Sequence, residues 1–335
     1  MIKKRGRGVC ATWYSTGVLS MANPSSATIT IKPDGSVVLL VGATETGQGS
    51  HTVLSQMAAE ALGVDVDEVV FSEVDTEKLP FDTGQVASRT TFYAGHAVKR
   101  AAEALKKELI RTAAGALDVP VEGLVARGGN IFVEGDPSRS LPFAEAARRT
   151  QYDRKIVTTR TASYHADVEP MDPSTGKGRP SAAYSFGVTM AEVDVDPETG
   201  VVDVLRLVTV YDCGRCMNPL GVEGQIKGGV MMGYGYGLLE DMHPLGGVEG
   251  QVRNFTEYLL PTAADLPGEV KVCIVETPDP KGPYGAKGVG EFTVNSAAPA
   301  IANAVYDALG VQIKSLPITP SKVLEALGKR GEPDG

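Results

Sequence analysis

Between Asn218 and Asp241 the sequence places seven glycines, at 221, 224, 228, 229, 233, 235 and 237, in a stretch that otherwise begins like a helix. Asn218 offers a side-chain cap, and Pro219 suits a first helical turn. Each glycine costs up to ~1 kcal/mol against alanine in a helix interior. A helix over about 220–241 tolerates that load only where something comes close to its backbone. Glu223, Gln225 and Lys227 interrupt the pattern and exclude a membrane-buried reading of the glycine spacing.

A second glycine-dense stretch poses a related question. In "KGPYGAKGVGEFTVNSAAPA", Gly282, Gly285, Gly288 and Gly290 precede a single acidic residue, Glu291. A helix follows from about Ser296 to Leu309, with Ile301, Val305 and Leu309 on one face and Tyr306 beside them. Two readings stand. Glu291 either favours the positive end of that helix, worth under ~1 kcal/mol, or it faces a group that the glycines let approach the backbone.

The rest of the chain alternates strands and helices. "ATITIKPDGSVVLLVGA" reads as a hairpin turning at Pro33-Asp34-Gly35, and "AYSFGVTMAEVDVDPETGVVDVLRLVTVYD" as a second one turning at 196–200. "TETGQGSHTVLSQMAAEALGV" reads as a glycine turn and a helix, and "VVFSEVD" as a further strand. The longest helical pattern is "TFYAGHAVKRAAEALKKELIRTAAGAL". Val98, Ala101, Ala102, Leu105 and Leu109 form its apolar face, and a Glu103–Lys107 pair lies on its solvated side. The two halves meet near 150–160 with no low-complexity linker. This pattern predicts an α+β fold of mixed sheets with packed helices in two lobes, 1–155 and 156–327, and a flexible tail at 328–335.

At 335 residues, with 42% hydrophobic and 22% charged residues, the chain has the composition of a globular protein with a sizeable core. A net charge of −9 argues against a nucleic-acid surface, and Lys3, Lys4, Arg5 and Arg7 are too few to reverse that. No apolar run reaches the ~18 residues of a membrane span, and no signal-peptide core opens the chain, so the cytoplasm is expected. Cys213 and Cys216 form a lone CxxC without a second pair, and the four histidines are scattered. A protein-ligated metal is therefore not expected.

Three turns share one character: "TGQGSHT" (46–52), "GQVASRTT" (84–91) and "GAKGVGE" (285–291). Each carries glycine or small residues and precedes a helix, where backbone N–H groups can cradle anionic oxygens. None is a GxGxxG or a P-loop, which removes the motif support for a nucleotide-binding dehydrogenase. Together with "EGQIKGG" (223–229) they favour an extended anionic cofactor lying across several turns.

These motifs, with "KKRGRGVCATWY", "ASRTTFYAGHAV", "DCGRCMNPLGVEGQIKGGVMMGYGYGL" and "NFTEYLLPTAADLP" in this order, resemble the C-terminal half of the molybdenum-binding catalytic subunit of the xanthine dehydrogenase/aldehyde oxidase family, the molybdenum hydroxylases. The resemblance implies a molybdenum-pterin cofactor whose dithiolene holds the metal, in bacteria usually as the cytosine dinucleotide. It implies cofactor contacts at Gly47, Gln48 and Gly49, with Ser50 and Thr52 near the phosphates. Further contacts are implied at Ala87, Ser88, Arg89 and Thr90, at Gln225, and at Lys287, Gly288, Val289 and Gly290. Glu291 matches the family's catalytic glutamate, a base that takes a proton while water-derived oxygen is inserted at an electron-poor carbon.

Full-length subunits of the family carry a comparably long N-terminal half that this sequence lacks. The chain is therefore expected in a hetero-oligomer with an N-terminal-half molybdenum subunit, an iron–sulfur subunit bearing 2Fe-2S clusters, and an FAD subunit. "YSTGVLSMANP" (14–24) resembles the substrate-funnel loop, and Gly17 stands where purine-oxidising members place a stacking phenylalanine. An N-heteroaromatic substrate is expected, with an aldehyde as the alternative. A non-catalytic scaffold or cofactor-insertion paralogue would need neither Glu291, Gln48 nor Gln225.

Overall fold

A computed structural model of the chain describes residues 3–242 and 252–328. His243 and, apart from Gly328, the expected flexible tail lie outside the described residues. The chain forms two compact units: Ser15–Ala183 with Pro278–Gly288, here the first unit, and Met1–Tyr14, Tyr184–Thr277 and Val289–Gly335, the second. The 1–155 and 156–327 division differs from this partition because strand pairing joins segments distant in sequence. The opening strand β1 (Lys4–Ser15) sits in the sheet of the second unit, and Thr159–Tyr164 sits in the sheet of the first.

In the first unit, β2 (Ser25–Ile31) and β3 (Val37–Val41) are the expected hairpin. Their strict alternation buries Ala27, Ile29, Ile31, Val37, Leu39 and Val41 on one face. At the turn, the Asp34 carboxylate accepts from Ser36 N at 2.9 Å. Helix α1 (Ser50–Leu62) then leads to β4 (Val69–Phe71), which pairs parallel with β3. Helix α2 (Thr90–Leu117) packs against α1 and across the sheet, burying Phe92, Val98, Leu105 and Leu109. Glu103 forms its i,i+4 pair with Lys99 at 3.8 Å rather than with Lys107. A small antiparallel sheet, β5 (Leu124–Arg127), β6 (Asn130–Val133) and β7 (Asp136–Pro142), and helix α3 (Phe143–Tyr152) follow. Strand β8 (Thr159–Tyr164) returns to pair antiparallel with β2.

In the second unit, β9 (Tyr184–Val195) and β10 (Val202–Asp212) form the second expected hairpin. Strand β11 (Glu269–Val275) pairs parallel with β10, and the sheet order is β1-β9-β10-β11. Helices α4 (Pro219–Leu238) and α5 (Ala297–Leu309) pack on this sheet, and α6 (Pro320–Ala326) follows. The core between them includes Val193, Leu207, Tyr211, Ile226, Val230, Phe292, Ile301 and Val305. As expected, the Asn218 side chain caps α4, accepting from Gly221 N at 3.0 Å. On β1, a Cβ at Gly6 or Gly8 would overlap the α5 backbone, so these glycines let helix and strand close together. Arg5 and Arg7, on the alternate positions, pair with Asp194 and Glu192. That pairing accounts for the basic start of the chain.

Mixed sheets with packed helices make the fold α+β. Among the described residues no helix is long and apolar enough to cross a membrane.

Candidate active site

The second unit builds the ground under Glu291. Residues 291–293 form one turn of 3-10 helix, while α5 begins only at Ala297. Glu291 therefore lies outside the first turn of α5, which weakens the helix-dipole reading. Phe292, fully buried, meets Tyr211 edge-on at 4.9 Å and stacks on Tyr14 at 6.5 Å. The Tyr211 hydroxyl donates to Thr293 O at 3.0 Å and lies 2.6 Å from Ser296 Oγ. Thr293 Oγ1 lies 2.8 Å from Gly290 O and 3.3 Å from Gln225 O, which brings Gln225 and Glu291 to one place.

The glycine-laden helix now has a cause. A Cβ at Gly229 would overlap the Thr293 hydroxyl, so α4 opens its backbone to the turn that carries Glu291. By contrast, Gly224 and Gly228 face open space. Glu291 is thus exposed at the end of a rigidly packed turn. Burial pushes the nearby Tyr14 phenol up, and the negative charge of Glu291 adds to that shift. The sequence placed Tyr14 only at the start of the funnel-like loop, and the fold of β1 brings it beside residue 291.

The first unit gathers two of the three expected turns. A Cβ at Gly288 would overlap Ser88 O, so the 285–288 and 84–90 segments meet backbone to backbone. Gly17 N donates to Ala87 O at 2.8 Å, adding the funnel-like loop to the same cluster. Ala87 and Ser88 both take left-handed backbone, φ +50 and +51°, a strained pairing for residues with side chains. Lys287 is buried here. Gly17, at φ +89°, packs against Tyr93, leaving no room for a phenylalanine side chain without displacement. Residues 285–291 pass from one unit to the other between Gly288 and Val289.

Arg89 departs from its expected role. Its guanidinium is fully buried and paired to Asp82 at 2.7 Å. It also donates to Gly84 O, Asn23 O, Pro24 O and Ser25 Oγ, and its Nε is a buried donor with no hydrogen-bond partner among the described residues. The side chain ties loops 23–25 and 82–84 together instead of presenting a charge to a ligand. Thr90, buried at the start of α2, follows it inward.

The 46–52 turn holds another residue that the sequence did not single out, Glu45. Its Oε1 accepts from Gly47 N at 2.9 Å and Gly49 N at 2.8 Å, and its Oε2 accepts from His51 N at 3.0 Å. The anionic oxygens expected in this cradle are supplied by the chain itself. Burial alone would raise the Glu45 carboxyl, but the three backbone donors outweigh it and hold it below the usual carboxylate range. Gln48 turns inward, its Oε1 accepting from Thr46 N (2.6 Å) and its Nε2 donating to Thr44 O and Ser50 Oγ. Ser50 is buried within the turn, and Thr52 is exposed.

Elsewhere, Cys213 and Cys216 are free thiols. Burial pushes Cys213 up to about 12, with Cys216 adding to the shift, so thiolate chemistry at neutral pH is disfavoured there. Among the described residues no three His, Cys, Asp or Glu side chains come together as metal ligands.

A profile of the molybdopterin cofactor-binding domain matches residues 2–267. The chain belongs to the molybdopterin cofactor-binding domain family. Within it, the xanthine dehydrogenase molybdenum-binding subunit of Escherichia coli O157:H7 is 35% identical over 327 residues, covering 96% of this chain and 42% of the relative. The nicotine 6-hydroxylase large subunit of Paenarthrobacter nicotinovorans is 33% identical over 307 residues, covering 90% of this chain and 36% of its own length. The crystal structure of quinoline 2-oxidoreductase from Pseudomonas putida 86 superposes with a TM-score of 0.85 at 31% identity, covering 98% of this chain and 42% of that one. This molybdopterin-binding chain thus spans about two fifths of the relatives it matches.

The local geometry fits such a cofactor. A Cβ at Gly47, Gly49 or Gly84 would meet no atom within 4 Å, so a flat group has room beside both turns, while Glu45 and Asp82 hold the N–H groups of these glycines. The turn that carries Glu291 packs against α4 at Gln225, whose carbonyl accepts from the Thr293 hydroxyl. Gln48 could reach a ligand only by exchanging bonds it now makes within its own turn.

Proposed function

We propose that this chain is the molybdopterin-binding portion of a multi-subunit hydroxylase in which Glu291 is the catalytic base. The carrying observation is the packing of residues 290–293. Phe292 and Thr293 are locked into the core, the Thr293 hydroxyl donating to the Gln225 carbonyl, while Glu291 stays at the exposed start of the same turn. A group fixed in this way is positioned for chemistry and contributes little to stability.

A molybdenum-pterin supplies, when bound, a centre that accepts two electrons and passes on oxygen derived from water. Overall, a substrate C–H becomes C–OH, water provides the oxygen, and two electrons and two protons leave. Glu291 accepts one of those protons. An ionised carboxylate suits the task because it takes a proton at neutral pH without needing a cationic partner. The residues that would hold the cofactor are Gln225, the turns at 47–49 and 84–88 through the unfilled space beside Gly47, Gly49 and Gly84, and the segment 287–290. Gln48 would join them after leaving Ser50 and Thr46. The phosphate contacts once expected of Ser50 and Thr52 are the weaker part of the assignment, since Glu45 fills that cradle. A cytosine dinucleotide tail remains the form proposed for the pterin.

The substrate class we favour is an N-heteroaromatic compound. The likeness to the nicotine hydroxylase subunit and to the quinoline oxidoreductase supports it, as does the packing of Gly17 on Tyr93, which leaves no stacking phenylalanine at that position. Partners carrying 2Fe-2S clusters and FAD would take the electrons onward, and the remainder of a molybdenum subunit, of which this chain matches about two fifths, would complete the site.

The complex purified through a tag on this chain should contain stoichiometric molybdenum and pterin. It should also incorporate oxygen from labelled water into a hydroxylated heterocycle. A complex with its subunits intact but no molybdenum would overturn this reading.

A further inference from the structure

Behind the Glu291 turn, the second unit buries a set of hydroxyl groups, on Thr189 of β9, Tyr211 of β10, Thr293 and Ser296. Strand β10 is bonded to β9 on one side and to β11 on the other, so Tyr211 stands on an inner strand. Its hydroxyl donates to Thr293 O, the last carbonyl of the 291–293 turn, at 3.0 Å. A phenol has one proton, so at the 2.6 Å contact Ser296 Oγ is the donor to the Tyr211 oxygen. Ser296 Oγ also lies 2.8 Å from Thr189 Oγ1. Two features show local stability given up for this arrangement. Gly187 lies opposite Tyr211 on β9, and a Cβ there would overlap the phenol ring. A glycine inside a strand weakens it, and here it makes room for the ring. Ser296 occupies the N-cap position of α5 yet makes no cap bond, its hydroxyl being turned to Tyr211 and Thr189. Apolar side chains of the same shape would fill this space at little cost to stability. They would not supply directed bonds between the sheet and the turn.

We propose that Tyr211 is a positioning residue for Glu291, and that the Tyr211–Ser296 pair fixes the 291–293 turn against β10. The inference rests on the proposed role of Glu291 as base and adds the residue that aims it. Thr293 Oγ1 lies within reach of Gly290 O and Gln225 O, but it has one proton to share between them. The phenol brings a second donor to the turn, and it comes from the sheet. Groups held on rigid elements keep the geometry that chemistry needs. A reacting group displaced by about 1 Å loses up to about 10²-fold in rate.

The test uses the native complex carrying Tyr211→Phe, which keeps the ring and removes the hydroxyl. Thr293 N donates to Gly290 O and Val294 N to Glu291 O, both at 3.1 Å. Amide exchange at these two positions should speed by roughly tenfold more than exchange in β9. Molybdenum content should stay at the wild-type level. With quinoline as the probe substrate, the limiting single-turnover rate of reduction should fall roughly 10- to 10²-fold. The half-saturating quinoline concentration should stay within a few-fold. Placed on a Glu291→Gln background, Tyr211→Phe should change that rate by less than about twofold, because a residue acting through Glu291 then has nothing to aim. A wild-type rate with Tyr211→Phe, or the same fall in both backgrounds, would overturn the inference and leave the proposed function standing. If Glu291→Gln alone reacts at the wild-type rate, the proposed function fails and this inference fails with it. If quinoline does not reduce the wild-type complex, exchange decides, and unchanged exchange at Thr293 and Val294 sinks the inference. Ser296→Ala, which removes the donor to the phenol, carries the same measurements if Tyr211→Phe does not assemble, and wild-type values there count equally against it.

Discussion

Glu45 places a carboxylate where α1 begins and satisfies three backbone donors that would otherwise point at solvent or a ligand. Losing that charge should loosen the turn that carries Gln48. For Glu45→Gln we expect faster amide hydrogen exchange at Gly47, Gly49 and His51 by about fivefold, equivalent to about 1 kcal/mol, the usual cost of a lost helix cap. The same bonds give a pH dependence. The folded carboxyl lies below the ordinary carboxylate value of about 4.3. Its contribution is therefore complete above that value and is lost as pH falls through the lower, folded one. Exchange in this turn that ignores both the substitution and the acid titration would remove Glu45 from its role. Arg89 makes a harder demand. Arg89→Ala leaves the buried Asp82 carboxylate without its cation, and the expected loss is about 3–5 kcal/mol in denaturant unfolding. A loss under about 1 kcal/mol would mean that the 82–90 loop is held by other contacts.

At the scale of elements, α4 separates two kinds of glycine. Gly228 faces open space, so Gly228→Ala should gain about 0.5–1 kcal/mol from helix propensity alone. Gly229→Ala pushes a methyl group into Thr293 and should cost about 1–3 kcal/mol while displacing the Glu291 turn. Equal unfolding midpoints for the two variants would contradict the close approach. The helical character of α4 was legible from Asn218-Pro219, but which glycines are contacted was not, because the contacting turn lies more than sixty residues downstream. Local signals carried α2, α5 and both hairpins, where a repeat of 3.6 or 2 and turn residues such as Asp34-Gly35 suffice. Strand β1 was hidden because alternate glycines in "KRGRG" mimic a loop, and its partner β9 is remote in sequence. The parallel β10–β11 pairing was hidden for the same reason. At the candidate site, the glycine-rich setting of Glu291 and Gln225 was legible. The inward turn of Arg89 and the reach of Glu45 were not, since periodicity carries no information about the direction of a single polar side chain.

For the whole molecule, a chain that spans about two fifths of its relatives and leaves its proposed base exposed fits a site completed by further polypeptide. Expressed alone, the chain should be aggregation-prone or free of molybdenum, and a soluble monomer with stoichiometric metal would contradict that. In the assembled complex, chemistry can be separated from assembly at one residue. Glu291→Gln keeps the size and hydrogen-bonding capacity of the side chain but cannot accept the proton. Because Phe292 and Thr293 hold the turn, the complex should form with its full molybdenum content. The decisive measurement is the single-turnover rate at which substrate reduces that complex, which keeps electron transfer to partners apart from the chemical step. Proton acceptance by Glu291 predicts a fall of roughly 10² to 10⁴ with molybdenum unchanged. A Glu291→Gln complex reduced within a few-fold of the wild-type rate would contradict it.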